Sequence, residues 1–136
     1  MKVNGGISGK LKNLDTVLSR LRSLGAVNEQ QLEDWVLHSA IERSLQVAVE
    51  IVIDICHRLN SLSGRSPAAS ARDAVEGCVK LGVLSSTDTL SHMIGFRNLV
   101  VHRYEHVETQ ILIDIVNNHL DDFDDFRAKV LDYVSS

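Results

Sequence analysis

The sequence predicts an all-α protein, an antiparallel bundle of about five helices in one domain spanning residues 1–136. Three observations carry that prediction. Apolar residues recur at spacings of three and four along most of the chain, the period of a helix with one buried face. No segment shows the strict alternation of a half-buried strand. The chain has a single proline and 44% apolar residues in 136, enough to build a core and too apolar for disorder.

The first helix is expected from Lys10 to Leu24, with Leu11, Leu14, Val17, Leu18 and Leu21 on one face. Arg20 and Arg22 fall in its last turn and Gly25 follows, as helix ends prefer. Asn28 and Gln31 form a capping-box pattern that opens a second, long helix from Glu29 to Asn60. Its seam is Leu37, Ile41, Leu45, Ala48, Val52, Ile55 and Leu59. Val47 to Ile55 is apolar on more than one side, so this helix is expected to be covered by its own bundle and by a second subunit. A loop from Ser61 to Pro67 leads to a third helix, with Pro67 in its first turn and Gly82 as its stop. Ser85 and Asp88 mark the start of a fourth helix, and a fifth is expected from about Val107 to Val134. The long amphipathic helices and short connections imply antiparallel neighbours.

Composition narrows the function. The formal net charge of -4 argues against a protein that coats nucleic acid indiscriminately, while leaving room for a local basic cleft. The most apolar run, Val47 to Cys56, is interrupted by Glu50 and Asp54, so no membrane span is expected. The first ten residues lack the apolar stretch of a signal peptide. Cys56 and Cys78 stand far apart in sequence and read as reduced core thiols of a cytoplasmic protein.

The chemistry-bearing segment is Arg97-Asn98-Leu99-Val100-Val101-His102-Arg103-Tyr104. Histidine, with an ordinary pKa of about 6.5, serves as acid or base at neutral pH. The arginine fork matches two phosphoryl oxygens, and Asn98 is placed to orient the phosphate or the imidazole. Cutting RNA without a metal needs those functions. On a straight helix Arg97 and His102 point roughly 140° apart. They converge only if the helix ends near His102 or if two copies of the motif face each other across a dimer axis. A structural reading of the same pair remains: a surface arginine, and a histidine satisfying the last carbonyls of a helix. Tyr104 also reads as an ordinary core-edge tyrosine.

Arg97 to His102 followed by Tyr104 resembles the arginine–histidine–tyrosine signature of the HepT-like branch of the HEPN superfamily, also called DUF86. The helix SAIERSLQVAVEIVIDICHRL and the segment NNHLDDFDDF are similar to that family's pattern, so the resemblance covers about Ser39 to the end. It implies a four-helix HEPN core plus an extra helix. It also implies a metal-independent endoribonuclease toxin, with Arg97 and His102 catalytic, Asn98 supporting, and no cofactor. The expected partners are an RNA substrate, a second copy in a homodimer, and a minimal nucleotidyltransferase antitoxin that silences the enzyme by adenylylating Tyr104. The alternative is a non-catalytic helical module that binds a nucleotidyltransferase or a nucleotide.

Other residues stay open. Glu50 and Asp54 are acids on an apolar helix and need partners. Arg58, one turn beyond Asp54, suggests a structural ion pair, and support for Arg97 of the same or the other subunit is the second reading. Asp121, Asp122, Asp124 and Asp125 read as a solvated helix face, with a basic partner surface as the other option. His102-Arg103-Tyr104-Glu105-His106 matches the HxxEH zinc pattern, but only thirty residues follow it, too few for such a peptidase. No metal is therefore expected.

Overall fold

The computed structural model describes residues 5–102 and 107–135. Among the described residues every regular element is helical: α1 (Gly5–Arg22), α2 (Glu29–Leu32), α3 (Trp35–Leu62), α4 (Ala71–Lys80), α5 (Asp88–His102), α6 (Thr109–Asn118) and α7 (Leu120–Ser135). The all-α bundle is as expected. Two of the five expected helices are each broken in two.

The first break separates α2 from α3. The Asn28–Gln31 capping box forms as the pattern predicts. Asp34 then takes an extended ψ of 109°, and its carboxylate accepts from the Val36 backbone N–H at 2.9 Å, starting a new helix. A short acidic side chain competes with the backbone ladder and favours the cap over the helix interior. Asp34→Ala is expected to lower stability by about 1 kcal/mol, read as a lower urea midpoint with an unchanged slope.

The second break lies at His119, which caps α6 with φ at -126°. Asn117 turns its amide to the Val27 backbone, accepting from N–H and donating to C=O, both at 2.9 Å. That contact ties the α1–α2 link to α6 across ninety residues of sequence. Asn117, Asn118 and His119 are all weak helix formers, so the chain turns there.

The start of α4 also differs from expectation. Ser70 caps the Asp73 N–H at 3.1 Å and the helix begins at Ala71, leaving Pro67 in the preceding loop. At the start of α5, Ser86 rather than Ser85 supplies the hydroxyl facing the Asp88 N–H, at 3.4 Å. Gly25 and Gly82 adopt φ of 67° and 86° as they end helices, a region costly for residues with a Cβ.

The seam of α3 is buried as predicted, from Ile41 through Leu59, with Leu37 packed at its edge. Phe123 and Phe126 of α7, Leu112 of α6 and Leu14 and Leu18 of α1 complete the core. α7 runs antiparallel to α1. Asp15 pairs with Arg127 at 2.8 Å, and Arg22 at the end of α1 holds Asp121 and Asp124 at the start of α7. The hydrogen bond to Asp124 raises the Arg22 pKa; burial opposes it, and the charges of Asp124 and Asp121 add to the rise. α4 runs antiparallel to the second half of α3 around a buried polar node. Asn60 of α3 donates to the Cys56 carbonyl at 2.8 Å and to the Ala74 carbonyl at 2.9 Å. Cys56 and Cys78 are free, buried thiols beside that node. Hydrogen bonding to Cys78 and burial push the Cys56 thiol well above its usual range, so it stays protonated and unreactive.

Candidate functional site

α3 and α5 pack side by side and together position the arginine–histidine motif. Arg97 lies on the flank of their contact. Its Nη1 donates to Glu50 Oε1 at 3.4 Å and its Nε donates to Asn98 Oδ1 at 3.1 Å. The Arg97 side chain is 25% exposed and that of Glu50 is 41% exposed. The guanidinium is thus aimed by two acceptors while one side of it stays open to solvent. At 3.4 Å the bond to Glu50 is long, and a half-exposed pair of this kind is weak. Phosphoryl oxygens can take over its donors without a large penalty.

Glu50 faces Arg97 of the same chain, one of the partners expected for it. Asp54 pairs with Lys10 of α1 at 3.7 Å, rather than with Arg58. The amide oxygen of Asn98 engages its neighbour Arg97 within the chain.

His102 is the final residue of α5 and its side chain is exposed. Among the described residues no hydrogen bond or ion pair joins it to Arg97. The helix runs unbroken between them, so the roughly 140° separation of a regular helix applies. Tyr104, with Arg103, Glu105 and His106 of the HxxEH pattern, lies outside the described residues. Among the described residues no three His, Cys, Asp or Glu side chains group to hold a metal ion.

The surface around Arg97 is apolar. Val101, one turn beyond it, is 53% exposed. Val47 and Ile51, on either side of Glu50 along α3, are half-buried. Val47 and Ile51 belong to the part of α3 that the sequence shows apolar on more than one side.

The sequence pattern of the family described as "Ribonuclease HepT-like" matches residues 14–130. This chain belongs to the HepT-like ribonuclease family. It is 26% identical to the mRNA nuclease HepT of Shewanella oneidensis over 126 residues, which is 91% of this chain and 95% of that protein. Its fold is similar to the tri-AMPylated HEPN toxin of the same organism, solved in complex with MNT antitoxin. There the TM-score is 0.86 at 25% identity, covering 96% of this chain and 99% of that one. A mutant MntA–HpeT toxin–antitoxin gives 0.84 at 26% identity, covering 95% and 99%. Family and fold thus agree with the resemblance read from the motif, and the activity class is that of an endoribonuclease of the toxin–antitoxin type. Among the described residues, no helix of this HepT-like protein is long and apolar enough to cross a membrane.

Proposed function

We propose that this HepT-like protein cleaves cellular RNA in the cytoplasm, without a metal, in a cleft shared by two copies of the chain. The supporting observation is the arginine held by Glu50 and Asn98 on an exposed apolar face, with His102 at the end of the same helix but turned away from it. A two-fold pairing of this face through Val101, Val47 and Ile51 brings the arginine of one copy toward the histidine of the other. It also covers apolar surface that a monomer leaves exposed.

In that cleft one imidazole takes the proton of a ribose 2′-hydroxyl, and the freed oxygen attacks the adjacent phosphorus. The two guanidinium groups stabilise the charge that builds on the non-bridging oxygens. The second imidazole, protonated, gives its proton to the departing 5′-oxygen. The products are a 2′,3′-cyclic phosphate and a free 5′-hydroxyl, and the two histidines have exchanged protonation states. Asn98 and Glu50 act as positioning residues through Arg97.

The partner that restrains this activity is a minimal nucleotidyltransferase, and Tyr104 is the acceptor of its adenylyl groups. The reading is supported by the tri-AMPylated state of the similar Shewanella toxin and by the place of Tyr104, two residues past His102. An adenylyl group two residues past His102 adds a bulky anion to the motif and repels the RNA backbone. Co-expression with a minimal nucleotidyltransferase antitoxin is expected to add AMP-sized mass increments by intact-protein mass spectrometry. Tyr104→Phe is expected to abolish them while leaving RNA cleavage intact. Increments that persist in the Tyr104→Phe protein assign the modification elsewhere.

A further inference from the structure

A second feature lies around α5 from Arg97. Thr89, His92, Met93 and Phe96 form a stripe along α5 that faces α3, α6 and α7 across a cavity of about 510 Å³. That volume lies in the range of built ligand pockets. Its floor is apolar, with Val49, Phe96 and Phe123 buried beneath it. Its rim is acidic, formed by Asp114 of α6 and Asp122 of α7, with His119 between them. No lysine or arginine is found among its described lining residues.

The acids of α7 divide by use. Asp121 and Asp124 are spent on Arg22, and Asp125 on Lys129. Asp122 instead turns to the cavity, where its Oδ2 faces His119 Nδ1 at 3.3 Å. Asp114 Oδ2 faces His119 Nε2, also at 3.3 Å. An incoming guanidinium offers donors to the remaining lone pairs of both carboxylates, and its charge matches a rim of two carboxylates.

We propose that this cavity seats an arginine side chain of the nucleotidyltransferase antitoxin. The aliphatic stem packs against Phe96 and Phe123, and the guanidinium reaches Asp114 and Asp122. Arginine fits better than lysine because its planar, weakly hydrated head stacks on aromatic rings and bonds two carboxylates at once. RNA is disfavoured, since its phosphates meet two like charges at the rim. A second copy of the chain is already placed on the Arg97–Val101 face. The inference rests on the partner named under the proposed function.

The test measures the affinity of purified full-length protein for a minimal nucleotidyltransferase antitoxin, together with RNA cleavage in its absence. Asp122→Lys reverses the rim charge and Thr89→Tyr fills the cavity without changing charge. Each is expected to weaken binding by about tenfold or more and to leave cleavage unchanged, which also reports an intact fold. Asp125→Lys, an equal charge reversal outside the cavity, is expected to change affinity by less than about twofold. Equal losses at Asp122 and Asp125 overturn the proposal in favour of general electrostatics. Unchanged binding for Thr89→Tyr overturns it because the cavity is then not the seat. A loss of RNA cleavage in either cavity variant overturns it by giving the cavity to RNA. If the wild-type protein does not bind the nucleotidyltransferase at all, the partner reading itself fails, and this inference with it.

Discussion

His102→Ala is expected to slow single-turnover RNA cleavage by about 10²–10⁴-fold, the usual contribution of a general acid or base. Arg97→Ala is expected to cost about 10²–10³-fold, as does loss of one preorganised donor to a developing anion. Neither change should unfold the protein, because His102 is exposed and Arg97 partly so. Arg97→Lys should recover little, since a single ammonium cannot reproduce the fork. The two losses should not multiply in the double variant, because the groups act as a unit. The composite site has a sharper consequence. Mixing Arg97→Ala protein with His102→Ala protein creates heterodimers in which one copy supplies the arginine and the other the histidine. That cleft holds one histidine and one arginine of the usual two, so cleavage should rise above that of either parent variant and stay below the wild-type rate. No gain on mixing would show that an arginine and a histidine from opposite copies do not work together. If His102→Ala cleaves RNA at the wild-type rate, the catalytic assignment is wrong.

Gly77→Ala is expected to be the most damaging small substitution in the scaffold. A Cβ at Gly77 would lie 1.9 Å from Asn60 Oδ1 and 2.9 Å from its Nδ2. Asn60 is 3% exposed and pinned by its bonds to the Cys56 and Ala74 carbonyls, so it has nowhere to go. Displacing it combines overpacking with the loss of buried hydrogen bonds, about 2–4 kcal/mol together. That corresponds to a fall in Tm of roughly 10 °C. Asn60→Ala in the same chain removes the obstruction. The double variant should then be clearly more stable than the sum of the two single losses. Simple additivity would show that Gly77 and Asn60 are not coupled as the contact implies.

What was legible in the sequence was local. The capping box at Asn28 and Gln31, the glycine stops at Gly25 and Gly82 and the α3 seam each depend on residues within a turn or two of one another. The Arg97–His102–Tyr104 spacing is local in the same sense and pointed to the family that the comparisons show. The breaks at Asp34 and His119 were missed for two reasons. A carboxylate that caps a helix and one that lies inside it look alike in a pattern of apolar spacings. The turn at Asn117 is stabilised by a backbone ninety residues away.

By itself, then, the sequence determined an all-helical bundle, its buried faces and an arginine–histidine–tyrosine motif that resembles the HepT-like signature, because periodicity and motif spacing are properties of the chain. The tertiary structure alone decided the pairings. It placed Glu50 on Arg97 and Asp54 on Lys10, turned Asn98 toward the arginine, and divided the acids of α7 between ion pairs and a cavity rim. A charged side chain pairs with whatever opposite charge the packed helices bring within reach, and that distance is set by helix packing rather than by separation along the sequence.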